Sequence, residues 1–144
     1  MTVDVDVSGF ASLSAACAEA MLYDVIVPAC EAKGIHLSID GNMTGARNLW
    51  DDNPLAEYDT LKEEHKLFHV DSVQRAFKLL PTILQPASTF KIDSYQLKHK
   101  VEEGREYITN GDTIATMLLL GYAARFGRQG KARTVNCEFK AVYK

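Results

Sequence analysis

One nearly continuous apolar block, from Ile114 to Phe126, constrains the fold of this chain more than any other feature. Its apolar positions cover every side of a helix, which is typical of a helix buried in the core rather than lying on the surface. We therefore predict a buried helix over residues 113–126 at the centre of the fold. The block includes Arg125 and is shorter than the roughly 20 residues that cross a bilayer, so it is not a candidate membrane span.

Other segments predict the elements around this helix. Three stretches alternate apolar and polar residues, the pattern of a half-buried strand: residues 3–7, 35–40 and 134–143. Helical periodicity elsewhere predicts about five helices in all. A chain of 144 residues fits one domain. We expect a single α+β domain over residues 1–144, in which a small sheet accompanies the helices.

Two turn sequences fix where helices begin. Asn53 followed by Pro54 predicts a helix start, with the asparagine as N-cap and the proline in the first turn. The pair Asn110-Gly111 predicts a turn before the buried helix, with Asn110 or Asp112 as its N-cap. Because an Asn-Gly pair accepts left-handed backbone, we expect a positive φ at Gly111.

Charge is distributed unevenly along the chain. Residues 1–64 hold 12 acidic and 3 basic residues, whereas residues 65–144 hold 7 acidic and 13 basic residues, within a net charge of −3. Such a split allows three arrangements: an anionic partner for the second half, head-to-tail self-association, or mutual neutralisation of the two halves inside one fold.

The basic residues of the second half are interleaved with the aromatic residues Tyr95 and Tyr122. Two predicted helices, a glycine-containing turn, a basic loop and a strand resemble a helix-turn-helix with a wing. The turn is longer than usual, however, and the second helix lacks the polar face that reads base edges. Phosphate contact through the loop is the stronger hypothesis. The candidate nucleic-acid-binding residues are Lys98, Lys100, Arg125, Arg128, Lys131 and Arg133.

Motifs of catalysis are absent from the sequence. His65 and His69 have the i, i+4 spacing of a metal pair, but no third ligand accompanies them and H-E-x-x-H does not occur. G-x-S-x-G, the P-loop and G-x-G-x-x-G are also missing. We expect a non-enzymatic protein without cofactor or metal, and no small-molecule substrate is evident.

Residues 94–122 carry a family resemblance. The segment reads S-Y-Q-L-K-H-K-V-E, then Y-I-T-N-G-D, then an apolar helix ending in G-Y. It resembles a segment of small uncharacterised proteins of large DNA viruses and some phages. The resemblance implies a virus-encoded protein that is packaged in the particle, and it carries no information about catalysis.

Location and function follow from these patterns. The N-terminus shows no basic region ahead of an apolar run, so we expect no signal peptide and no secretion. Three cysteines without a C-x-x-C pair predict buried free thiols in a reducing cytosol or nucleus of a host, with the virion as the alternative. The leading hypothesis is a virus-type structural or packaging protein that self-associates or contacts an anionic partner. The alternative is a small helix-turn-helix-like nucleic-acid-binding regulator.

Overall fold

The computed structural model describes residues 1–45, 53–129 and 132–144. Its helices are α1 (Ala15–Met21), α2 (Val27–Glu31), α3 (Pro54–Glu63), α4 (Val70–Ile83), α5 (Ser94–Glu102) and α6 (Asn110–Leu119). The π-helical turn Leu22–Ile26 joins α1 and α2 into one continuous helix, so the described residues form five separate helices. A short 3-10 helix, Phe10–Ser12, precedes them.

The strands are short and all pair antiparallel. They are β1 (Leu37–Ser38), β2 (Gly41–Asn42), β3 (Leu84–Pro86), β4 (Ile92–Asp93), β5 (Ala124–Gln129), β6 (Ala132–Phe139) and β7 (Ala141–Tyr143). Strands β1 and β2 form one pair, β3 and β7 a second, and the remaining strands a sheet in the order β4-β6-β5. The predicted α+β class is confirmed.

The helix α6 occupies the core, as predicted. All ten of its residues are buried, and Met117 and Leu118 have no exposed surface. It contacts α4, α5 and both strands of the β1–β2 hairpin. Two helices and the β1–β2 hairpin therefore pack against one central helix.

The predicted end of this helix at Phe126 is wrong. Helix α6 ends at Leu119, and Gly121 follows in a left-handed conformation with φ 84°. The Tyr122 N–H donates to the Met117 carbonyl and the Gly121 N–H to the Leu118 carbonyl, the hydrogen-bond pattern of a Schellman motif. Of the apolar residues after this stop, Ala124 and Phe126 belong to β5. An apolar run alone does not distinguish a buried helix from a buried strand.

The predicted strand over residues 3–7 is also wrong. That segment lies within the described residues but joins no sheet, although Val3 is buried in the core. Its alternation arises because one face of the segment is buried. A strand also needs a neighbouring strand to pair with, and the alternation of a single segment does not show whether one is present. Within 35–40 only Leu37–Ser38 forms a strand, and the predicted strand over 134–143 is divided between β6 and β7.

The helix starts are partly as predicted. Asn53 caps α3 by accepting from the Ala56 N–H at 3.1 Å, and Pro54 is its first residue. The N-cap of α6 is Thr109, whose hydroxyl accepts from the Asp112 N–H at 3.0 Å, rather than Asn110 or Asp112. Gly111 lies inside α6 and its φ is not positive, so that prediction is wrong.

Candidate functional site

The β5–β6 hairpin brings three of the candidate basic residues together. Strand β5 is at the edge of its sheet and pairs with β6, with Arg125 opposite Glu138 and, beyond a bulge after Phe126, Arg128 opposite Arg133. Antiparallel pairing places directly opposite residues close together on one face. The register therefore sets the charge pattern of the hairpin.

Two pairs on this hairpin differ in electrostatic character. Arg125 and Glu138 form an exposed ion pair with a nitrogen–oxygen distance of 2.9 Å. Arg128 faces Arg133 instead, and like charges directly opposite one another destabilise a hairpin. The Arg133 guanidinium donates to the Phe126 carbonyl at 3.3 Å, which leaves its positive charge without a carboxylate, and Arg128 is exposed. A bound anion would relieve this repulsion.

A basic cavity of about 240 Å³ adjoins the same hairpin. Its basic side chains are Lys33, Arg125 and Arg133, Met1 also lines it, and its apolar lining includes Ile35 and Phe126. Among the described residues, no carboxylate lines this cavity. The cavity has the size and charge to hold a phosphate group.

Lys33 reaches the cavity because of how α2 ends. Gly34 adopts a left-handed conformation with φ 73°, and its N–H donates to the Glu31 carbonyl at 2.9 Å. The chain then turns back, with the Ile35 N–H donating to the Cys30 carbonyl at 3.0 Å. Sequence reasoning missed Lys33, since it stands in the acidic half and no local pattern connects it with a hairpin ninety residues further on. We name Lys33, Arg125, Arg128 and Arg133 the basic hairpin site.

The two lysines of α5 have other surroundings. The Lys98 side chain is 8% exposed, and its ammonium group donates to both Glu102 oxygens at 3.0 and 3.2 Å. The same group lies 5.7 Å from the ring centroid of Tyr95 and 4.7 Å from that of Tyr107. Lys98 thus fixes the end of α5. Lys100 is exposed and pairs with Glu103 at 3.4 Å, and Lys131 lies outside the described residues.

Glu102 is the centre of that arrangement. It accepts from Lys98, from the Ile108 N–H at 3.3 Å and from His99 at 3.0 Å. Burial by itself would raise the pKa of this carboxyl, but the hydrogen bonds from these three groups and the charge of Lys98 together lower it below 4.5.

The two histidines with the i, i+4 spacing, His65 and His69, face different partners. His65 contacts Glu19 at 2.5 Å and stacks on Tyr23, whereas His69 contacts the buried Asp112 at 2.9 Å. Across the described ranges, no group of three or more His, Cys, Asp or Glu side chains is arranged to hold a metal ion.

The His69–Asp112 pair resembles the base-and-orienting-acid pair of hydrolases, but its geometry has a structural use. Asp112 also accepts from the His69 N–H at 2.9 Å and so binds the start of α4 to the start of α6. Burial raises the pKa of Asp112 despite these hydrogen bonds.

Burial also raises the pKa of the Cys137 thiol far above its usual value, which suppresses the thiolate form. Cys30 is buried as predicted, while Cys17 is exposed, contrary to prediction.

Comparisons with known proteins give no relative. No family model, curated protein or solved structure matches the chain. In the part of the chain that the structure describes, no helix is both long and apolar enough to cross a membrane. The fold and the site together define a small α+β protein with a basic edge hairpin.

Proposed function

We propose that this chain is a non-enzymatic binding protein that contacts the phosphates of a nucleic acid through the basic hairpin site. The observation that carries the proposal is the direct register of Arg128 with Arg133. Two arginines in direct register place like charges on one face of the hairpin, which is unfavourable in the free protein and becomes favourable when a polyanion lies beside them. A structural or packaging role in a virus particle, as the resemblance of residues 94–122 implies, fits such binding.

The ion pairs of the molecule support this proposal. Ion pairs that join residues 1–64 to residues 65–144 include Lys66–Glu64, at the boundary in sequence, and His65–Glu19. Two arginines of the second half pair within that half, Arg125 with Glu138 and Arg75 with Glu106. In the described part of the chain Arg128 and Arg133 form no ion pair, which leaves their charge available to an external anion.

The burial of α6 favours phosphate contact over base reading. A recognition helix presents polar side chains to base edges in the major groove. All ten residues of α6 are buried, which weakens the helix-turn-helix alternative. The hairpin offers arginines to the backbone, and phosphate contacts position a protein without specifying sequence. We expect binding to unrelated sequences with similar affinity.

A direct test is fluorescence anisotropy with labelled DNA duplexes of two unrelated sequences, titrated from low to physiological salt. The test variant is Lys33→Gln/Arg128→Gln/Arg133→Gln. The control variant, Lys66→Gln/Lys78→Gln/Lys91→Gln, removes the same charge from exposed positions outside the site. We expect the test variant to bind more weakly, and each lost phosphate contact to reduce the salt slope by about 0.9.

Two results would overturn the proposal. One is equal weakening in the test and control variants, which would show a dependence on net charge alone. The other is no binding at either salt concentration. Light scattering on the same samples measures self-association. If the protein does not bind DNA and the test variant changes the assembly mass, the hairpin contacts the acidic half of a second copy instead.

A further inference from the structure

A second cavity, separate from the basic hairpin site, lies between α4, α5 and the segment that follows α5. Its volume is about 330 Å³, within the range of small-molecule sites. Four of its eight lining residues are apolar: Ala76, Leu79, Val101 and Ile108. Polar residues also line it, namely Ser72, Arg75, Arg105 and Glu106. An apolar pocket with a few polar groups is the usual form of a ligand site.

The segment that forms one wall is held in place by Glu102. The Ile108 N–H donates to the Glu102 carboxylate at 3.3 Å, and the Arg105 N–H donates to the Glu102 carbonyl at 2.9 Å. Gly104 permits the turn between them with a φ of 67°. These bonds fix the Arg105 backbone, and its guanidinium donates to the Glu103 carbonyl at 3.1 Å while the residue lines the cavity.

Arg75 is already set up to bind a carboxylate. One guanidinium nitrogen donates to the Ser72 hydroxyl at 2.9 Å, and the other lies 2.9 Å from the Glu106 carboxylate. The Glu106 side chain is 77% exposed, so water screens this ion pair and the pair is weak. An intramolecular carboxylate thus occupies the position that a ligand carboxylate would take.

We propose that this cavity binds a small amphipathic monocarboxylate of the medium-chain fatty acid class. The alkyl chain lies against Leu79, Val101 and Ile108, and the carboxylate displaces Glu106 from Arg75. Arg105 adds a second positive charge to the lining. Charge complementarity selects the carboxylate, because an anion here gains two arginines, whereas an uncharged chain gains only apolar contact.

The test of this proposal is a titration of octanoate into the whole protein. Binding is followed by calorimetry and by the methyl NMR shifts of Leu79, Val101 and Ile108. Octanol is the uncharged control ligand. Arg75→Gln should weaken octanoate binding by roughly tenfold or more, since it removes a charge-assisted hydrogen bond. Glu106→Gln should strengthen it, because the competing carboxylate is gone. Lys78→Gln, an equal charge change elsewhere on α4, should leave it unchanged.

The variants Arg75→Gln and Glu106→Gln change opposite members of one ion pair and should have opposite effects on octanoate affinity, which separates a binding effect from a folding defect. Glu106→Gln alters an exposed side chain and predicts a gain, which a damaged fold would not produce. Octanol bound as tightly as octanoate would overturn the proposal. The absence of binding to both the original protein and Glu106→Gln would do the same, as would octanoate affinity unaffected by Arg75→Gln.

Discussion

Gly111 packs directly against the carbonyl group of Ser38. The Gly111 N–H donates to the neighbouring Ile39 carbonyl at 2.8 Å, and a Cβ at Gly111 would lie 1.5 Å from the Ser38 oxygen. This contact sets how closely α6 approaches the β1–β2 hairpin. The glycine is required by lack of space rather than by left-handed backbone.

Gly111→Ala should therefore destabilise the protein strongly. We expect a loss of at least about 3 kcal/mol in the free energy of unfolding, measured by chemical denaturation, because the hairpin must move away from α6. Gly34→Ala is the matched control. Its Cβ meets no atom within 4 Å, so only the left-handed backbone, φ 73°, is strained, at about 1–2 kcal/mol. Equal losses in the two variants would contradict the close-contact explanation.

Leu118→Ala should lower the free energy of unfolding by about 2–5 kcal/mol. Leu118 has no exposed surface and lies on the central helix, so truncation removes buried apolar contacts and leaves a cavity. Leu55→Ala provides the comparison, since Leu55 is 45% exposed and should change stability by less than about 0.5 kcal/mol. A thermal midpoint unchanged by Leu118→Ala would refute a central role for α6.

Glu102→Gln should change how stability depends on acid pH. The pKa of Glu102 is lower in the folded protein than in the unfolded chain, where it is near 4.5, so the unfolded chain binds the proton more readily. Its stabilising contribution is fully present above pH 4.5 and is lost as the pH falls through the lower folded pKa.

The measurement is chemical denaturation of the original protein and Glu102→Gln from about pH 6 down to about pH 3. We expect the original protein to be the more stable at pH 6 and the difference to shrink as the pH falls. Glu103→Gln, at an exposed neighbouring position, should change stability by less than about 1 kcal/mol. A difference that stayed constant across the range would be evidence against the Glu102 arrangement.

Arg128→Glu should stabilise the free protein while it weakens nucleic-acid binding. The new carboxylate would face Arg133 across the hairpin and replace a like-charge pair with an opposite-charge pair, a gain of up to about 1 kcal/mol in the free energy of unfolding. Thermal unfolding and anisotropy on the same sample measure both effects. Lys78→Glu reverses a charge outside the hairpin and should not raise stability. A fall in stability of Arg128→Glu would indicate that the two arginines do not repel.

The sequence by itself determined the features that depend on near neighbours. The apolar block from Ile114 to Phe126 predicted a buried helix, though not its end, and the Asn53-Pro54 pair predicted the start of α3. Alternation over residues 134–143 predicted one strand, which the structure divides between β6 and β7. These signals are readable because helical and strand periodicities repeat within a few residues, and because a cap bonds to the next turn.

Only the tertiary structure decided the features that depend on distant residues. The register that sets Arg128 opposite Arg133, the Ser38 carbonyl that excludes a side chain at Gly111, and the place of Lys33 in the basic cavity each join separate segments. Lys98 looked like a surface cation in sequence but is buried against Glu102, Tyr95 and Tyr107. Local periodicity specifies which face of an element is buried, whereas close approach and cross-strand register arise when whole elements pack together.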